Sequence, residues 1–216
     1  MARYPGKFGI HGGETERVGK ASLSTFDAAE QPSVIALAGR RVDAPHARQV
    51  RFPPENAPVV AGRIRECFQK GVRMLVCSAA CGSDLLALEV ASELGIRRRV
   101  VLPFARPLFR ETSVADRPGD WDERFDRALD EVERHGDLVI LGYEQSDAAA
   151  YARTNAAILD EALRIARQEG RLARALVVWD GKSRGASDLT AHFLDEARGK
   201  GMPILEVLTL KRRPRN

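Results

Sequence analysis

The chain has 216 residues, with 34 Lys and Arg against 30 Asp and Glu and a formal net charge of +4. Hydrophobic residues make up 44% and charged residues 30%, a globular balance with room for one large domain rather than two. No apolar run reaches the ~18 residues of a membrane span, and the N-terminal MARYPGKFGIHGG lacks the continuous apolar core of a secretory signal, so a cytoplasmic protein is expected.

Residues 1–31 are polar and carry no sustained period, which reads as a flexible extension. From there the pattern is regular. Val34–Gly39 is an apolar run ending in glycine, a buried-strand signature. Pro53 and Pro54 open a helix to about Gln69, closed by Gly71. Arg73–Ser78 is a second strand, Asp84–Leu94 a second helix stopped by Gly95, and Arg99–Pro103 a third strand. Residues 105–119, holding Pro107, Pro118 and Gly119, read as a long loop and a candidate lid. Asp120 then caps a helix with Trp121, Phe125, Leu129 and Val132 on one stripe.

Leu138–Leu141 is a fourth strand, and a helix follows over about 149–169, its expected stripe being Ala152, Ala156, Leu159, Leu163 and Ala166. Ala175–Trp179 is the fifth strand, Leu189–Lys200 a helix closed by Gly201, and Pro203–Leu208 the sixth strand. Six strands alternate with helices and are continuously apolar. The pattern predicts an α/β fold, a Rossmann-like three-layer sandwich whose mostly parallel sheet of six or seven strands is covered on both faces. Residues 32–210 form this domain, and Lys211–Arg215 lie in a basic tail, residues 211–216.

In such sheets chemistry gathers just beyond the carboxyl ends of the strands. The run VCSAACGSDLLALEVASELG, residues 76–95, puts small residues where a strand becomes a helix and leaves space there. A second glycine-bearing turn, DGKSRGASD, spans residues 180–188. Both lead into helix N-termini, whose free N–H groups suit phosphate, and Arg40, Lys182 and Arg184 add positive charge. The expectation is a nucleotide or phosphorylated sugar held between them. The alternative is local: Ser83, Asp84 or Asp188 caps its helix without a ligand. There is no GxGxxG after the first strand and no GxxxxGK[ST], so dinucleotide and P-loop readings lack their usual support.

Three cysteines, Cys67, Cys77 and Cys81, form no CxxC pair, which excludes a disulfide framework and a structural zinc site; they read as small apolar fillers. His11, His46, His135 and His192 match no metal spacing, and no metal is expected.

The segments LAGRR (37–41), RFPPEN (51–56), SAACGSDLLALEVASELG (78–95), VVLPF (100–104), TSV (112–114), W..RF (121–125) and VVWDG (177–181) resemble the SLOG superfamily. That Rossmann-like group is named for the Smf/DprA and LOG proteins, and the resemblance is nearest to its domains in bacterial signalling and conflict systems. It implies one nucleotide pocket. Carried over to this chain it takes Gly39 and Arg40; Ser78, Gly82, Ser83 and Asp84; and Gly185, Ser187 and Asp188, while position at the strand ends and on the loop after the third strand adds Cys81, Pro103, Phe104, Arg110, Asp180 and Gly181 as candidate ligand-binding residues.

The stretch WDGKSRGASDLT lacks the PGGxGTxxE motif of the LOG enzymes. The resemblance therefore implies a nucleotide-sensing module in signalling or defence, with an effector protein as partner and no required cofactor. LOG-type phosphoribohydrolase activity, an N-glycosidase reaction with Asp188 as catalytic carboxylate, is the alternative; single-stranded DNA binding of DprA type is the second, disfavoured by 6% aromatic content. The resemblance also implies a homodimer or higher homo-oligomer.

Overall fold

The protein is described by a computed structural model covering residues 31–210; apart from Gln31, the N-terminal extension expected over residues 1–31 lies outside the described residues, as does the tail 211–216. Along the chain run β1 (Ser33–Gly39), a 3-10 turn (Pro54–Asn56), α1 (Ala57–Phe68), β2 (Val72–Cys77), α2 (Ser83–Glu93) and β3 (Arg97–Leu102). They are followed by α3 (Arg106–Ser113), α4 (Trp121–Arg134), β4 (Leu138–Ile140), α5 (Ala150–Gln168), β5 (Leu172–Trp179), α6 (Leu189–Gly199) and β6 (Ile204–Leu208).

The six strands form one sheet in the order β4-β3-β2-β1-β5-β6, and every pair is parallel. The chain builds outward from β1 to β4, then α5 carries it back across the sheet so that β5 and β6 grow from the other side of β1. That makes a Rossmann-like three-layer sandwich whose strand order reverses between β1 and β5.

Both sheet faces are buried, which explains the continuous apolar runs. Along β1, Ile35 and Leu37 enter the layer that holds Val60 and Ile64 of α1, Leu85 and Leu88 of α2, and Phe125 and Leu129 of α4. Val34, Ala36 and Ala38 enter the opposite layer with Ile158 and Leu159 of α5 and Phe193 and Leu194 of α6. Helix α2 packs against α1, α4 and the sheet, and its buried residues run consecutively from Ser83 to Leu88. Its sequence therefore looks like a strand's rather than an amphipathic helix's.

Two expectations change. Residues 106–113 are helical, not loop: Pro107 sits in the first turn, where its missing N–H costs nothing, and Phe109 and Ser113 are buried. The core stripe of α5 is Thr154, Ile158, Leu159, Ala162, Ile165 and Ala166, so Ala152, Ala156 and Leu163 flank the sheet-facing side rather than define it. The mostly parallel sheet of six or seven strands is as expected: among the described residues it has six, every pair parallel.

Candidate functional site

The glycine turn after β2 is filled by the chain itself. Gly82 has φ +101°, and a Cβ there would lie 2.7 Å from Val42 N and 2.9 Å from Arg40 O. A Cβ on Gly39 would lie 2.5 Å from Ser83 Cβ and 2.7 Å from Val178 O. The backbone N–H and the hydroxyl of Ser83 both donate to Arg40 O, at 3.1 and 2.8 Å. Small residues at 78–83 thus let two main-chain segments touch, and the first amide of α2 is engaged before any ligand arrives. The phosphate cradle expected here is occupied by residues 40–42.

The turn after β5 is likewise closed. Asp188 caps α6, accepting from the N–H groups of Thr190 at 3.0 Å and Ala191 at 3.3 Å, and from Arg184 N at 2.7 Å. Its two oxygens also receive Arg40 Nη1 at 2.6 Å and Nη2 at 2.8 Å, a forked pair of charge-assisted bonds. Arg40 Nε reaches Asp180 Oδ1 at 3.1 Å, and Arg51 Nη1 reaches Asp180 Oδ2 at 2.7 Å. Burial pushes the Asp188 carboxyl up, but Arg40 and the backbone N–H of Arg184 and Ala191 outweigh it and hold the group well below the usual carboxylate range. Burial also works against the charge on Arg40; the bonds to Asp188 and Asp180 more than offset that and raise its pKa. With its oxygens so engaged and its side chain fully buried, Asp188 has no face left for a substrate. The catalytic role expected of it gives way to helix capping and charge pairing.

Beside this network a cavity of about 550 Å³ opens at the carboxyl ends of β1 and β2. Its lining includes Arg40, Arg41, Arg51, Arg117 and Arg184 together with the apolar Leu37, Phe109, Ile158 and Leu189. The segment after β1 brings Arg41, which donates from Nε to Cys81 Sγ at 3.3 Å and pairs with Asp116. Arg117, in the turn after α3, donates to Val42 O at 2.9 Å and to Asp116 at 2.5 Å. From α5 come Tyr151, Thr154 and Asn155. Phe104 packs edge-on against Tyr151 at 5.6 Å, and the Tyr151 hydroxyl lies 3.0 Å from Ser113 Oγ and donates to Thr112 Oγ1 at 3.2 Å. The volume fits a nucleotide-sized ligand.

Two polar groups in this lining are under-used. Ser78 Oγ is enclosed and has no hydrogen-bond partner among the described residues. Asp84 is 7% exposed, and the one hydrogen bond its carboxyl receives among the described residues is from Ala80 N at 3.2 Å. Burial pushes its pKa up, and the Ala80 N–H and the positive field of Arg41 only partly restrain it, leaving it raised to about 7.

Of the ligand-binding residues expected from sequence, the structure brings Gly39, Arg40, Ser78 and Asp84 to the cavity. Cys81 is buried beneath Arg41, and Gly82 and Ser83 pack on the backbone of residues 40–42. Pro103 accepts from Tyr143 N, and Phe104 supports Tyr151 without lining the cavity. Arg110 points to α4, pairing with Asp122 and Asp126. Asp180 belongs to the Arg40 network, while Gly181, Gly185 and Ser187 lie in an exposed turn. Sequence reading did not single out Arg41, Arg51 or Arg117 as a set, because they sit on separate irregular segments with no spacing to join them. Among the described residues no cluster of His, Cys, Asp and Glu is arranged to hold a metal ion, and no helix is long and apolar enough to cross a membrane.

Fold and cavity together define an α/β protein with an arginine-walled pocket at the carboxyl edge of its parallel sheet. No family model matches the chain, and no curated protein does either.

Proposed function

We propose that this protein binds a nucleotide or nucleotide-derived anion in the cavity beside β1 and β2, and acts as a sensing module that passes its liganded state to a partner protein. One observation carries the reading: a pocket of nucleotide size combines arginine and apolar lining residues with an enclosed hydroxyl, Ser78 Oγ, that has no partner among the described residues. Arginines suit phosphate oxygens, the apolar residues suit a base, and the hydroxyl suits a sugar or base edge. The SLOG resemblance points to the same ligand class.

The test is binding of AMP, cyclic AMP, NAD and ADP-ribose by calorimetry, with mass spectrometry of each mixture afterwards. Saturable binding of an intact ligand, weakened in Arg117→Ala and blocked in Ala44→Trp, supports the sensor. No binding of any of the four refutes it. An N-glycosidase is the second reading, favoured by a buried carboxyl, Asp84, on the cavity wall; release of free base that is lost in Asp84→Asn would establish it. The homo-oligomer implied by the resemblance is read by sedimentation of the free and liganded protein.

A further inference from the structure

The cavity wall is nearly balanced in charge, and one residue decides the balance. Five arginines line it: Arg40, Arg41, Arg51, Arg117 and Arg184. Three carboxylates pair with them, Asp188 with Arg40 and Arg184, Asp180 with Arg40 and Arg51, and Asp116 with Arg41 and Arg117. Two more acids share the wall, Asp43 and Asp84. Asp43 accepts from the N–H groups of Arg51 and Phe52, both at 2.9 Å. Among the described residues Asp84 has no ion-pair partner, and one backbone N–H for a carboxyl with roughly four acceptor sites. With a proton on Asp84 the wall is net positive; without it the excess is cancelled.

Resting on the nucleotide reading above, we infer that Asp84 is the specificity-determining residue of this cavity: as the carboxylic acid it donates a hydrogen bond to the ligand, with Ser78, which lines the same cavity, as a second polar group, and as the carboxylate it repels the ligand's negative charge. The site accordingly takes an anion that carries an uncharged acceptor, such as a hydroxyl, ring nitrogen or carbonyl, away from its phosphate. Asp84 is suited to this by its place at the first turn of α2, where it faces the cavity but is sealed by apolar neighbours on the helix's other sides.

The groups whose fields reach it are Arg41 from the segment after β1, Cys77 from β2 and Cys81 from the turn before α2. Burial raises the pKa of both thiols, so neither supplies a competing negative charge near neutral pH. Arg41 is the one cation, and it is shared with Asp116. Since Asp84 titrates near 7, its acid form falls from about nine-tenths to about one-tenth of molecules between pH 6 and pH 8.

The experiment compares wild type with Asp84→Asn, whose amide keeps the donor and the shape but cannot ionise. Dissociation constants for AMP, cyclic AMP and ADP-ribose are measured at pH 6, 7 and 8 for both proteins, so that titration of the phosphate itself cancels in the ratio. The wild-type constant, divided by that of the variant, is expected to rise about tenfold from pH 6 to pH 8. Ser78→Ala should weaken binding at every pH by a constant factor. A ratio that stays flat while both proteins bind overturns the role of Asp84 and leaves the nucleotide reading standing. Failure of all three ligands to bind either protein at any pH overturns both. Carbon-13 NMR of the aspartate carboxyls, assigned by the variant, provides a ligand-free check: a carboxyl titrating near 4 also overturns the inference.

Discussion

Replacing Arg40 by leucine removes the centre of the network that joins β1, β5 and α6. Asp188 would keep its three backbone donors but lose both guanidinium bonds, with a side chain that is fully buried and cannot reach water. Asp180 would keep Arg51. Breaking a buried pair by removing one partner leaves an uncompensated charge and costs about 3–5 kcal/mol. The remaining backbone donors and the nearby Arg184, 3.7 Å from Asp188, place the expectation near about 3 kcal/mol. Urea unfolding at pH 7 measures it. The loss should also depend on pH with a definite sign. The depressed pKa of Asp188 gives the wild type stability that is present above its ordinary 3.8 and fades as pH falls through its lowered folded value. The gap between wild type and Arg40→Leu should therefore narrow as the pH is taken from 5 toward 3. Adding Asp188→Asn to the variant should recover part of the loss, because the buried charge is then gone. A cost below about 1 kcal/mol at pH 7, the size of an exposed pair, would refute the account.

Four further substitutions separate the roles of individual groups. Gly82→Ala should destabilise by about 2–4 kcal/mol in the same assay, since it combines positive φ with main chain 2.7 Å from the new Cβ, whereas Gly185→Ala, at φ +96° but in open space, should cost about 1–2 kcal/mol. Asp84→Asn should stabilise the free protein more as pH rises: ionising the buried acid carries no penalty below about pH 4, and the penalty grows until about pH 7, reaching about 4 kcal/mol at most. Thermal melts of both proteins from pH 5 to pH 8 read the divergence, and parallel curves would contradict it. Arg110→Ala, which removes surface pairs with Asp122 and Asp126, should change stability by less than about 1 kcal/mol and leave nucleotide affinity unchanged in calorimetry.

The layer architecture was legible because most strands are apolar along most of their length and most helices are bracketed by glycine or proline, two signals that depend on local sequence alone. The helix at residues 106–113 was not, because Pro107, Pro118 and Gly119 carry the same letters as a loop; only the burial of Phe109, a tertiary fact, decides for a helix. The glycine turns were legible as places of close approach, yet the sequence could not say what approaches. Gly82 admits a phosphate or a peptide with equal ease, and here the peptide of residues 40–42 comes from 40 residues upstream. Asp188 was readable both as a helix cap and as a catalytic acid, and its forked partner Arg40 lies 148 residues away, beyond any spacing rule. Arg41, Arg51 and Arg117 became a set only when three irregular segments converged.

Open parallel sheets usually place their ligand crevice where the strand order reverses, which in this protein is between β1 and β5. Part of that position is taken by the network of Arg40, Asp180 and Asp188, and the cavity opens beside it, lined by Gly39 and Ser78 after β1 and β2 and by Arg184, Leu189 and Thr190 after β5. Arg40 has both roles: its side chain lines the cavity while holding the start of α6 through Asp188. A ligand that draws on Arg40 competes with Asp188 and Asp180 for the same guanidinium, so occupancy of the cavity and the seating of α6 are coupled through one residue. Replacing Arg40 therefore disturbs folding and binding together and cannot separate them. Arg117 and Ser78, which touch the cavity but not this network, are the positions at which binding can be altered while the fold stays fixed.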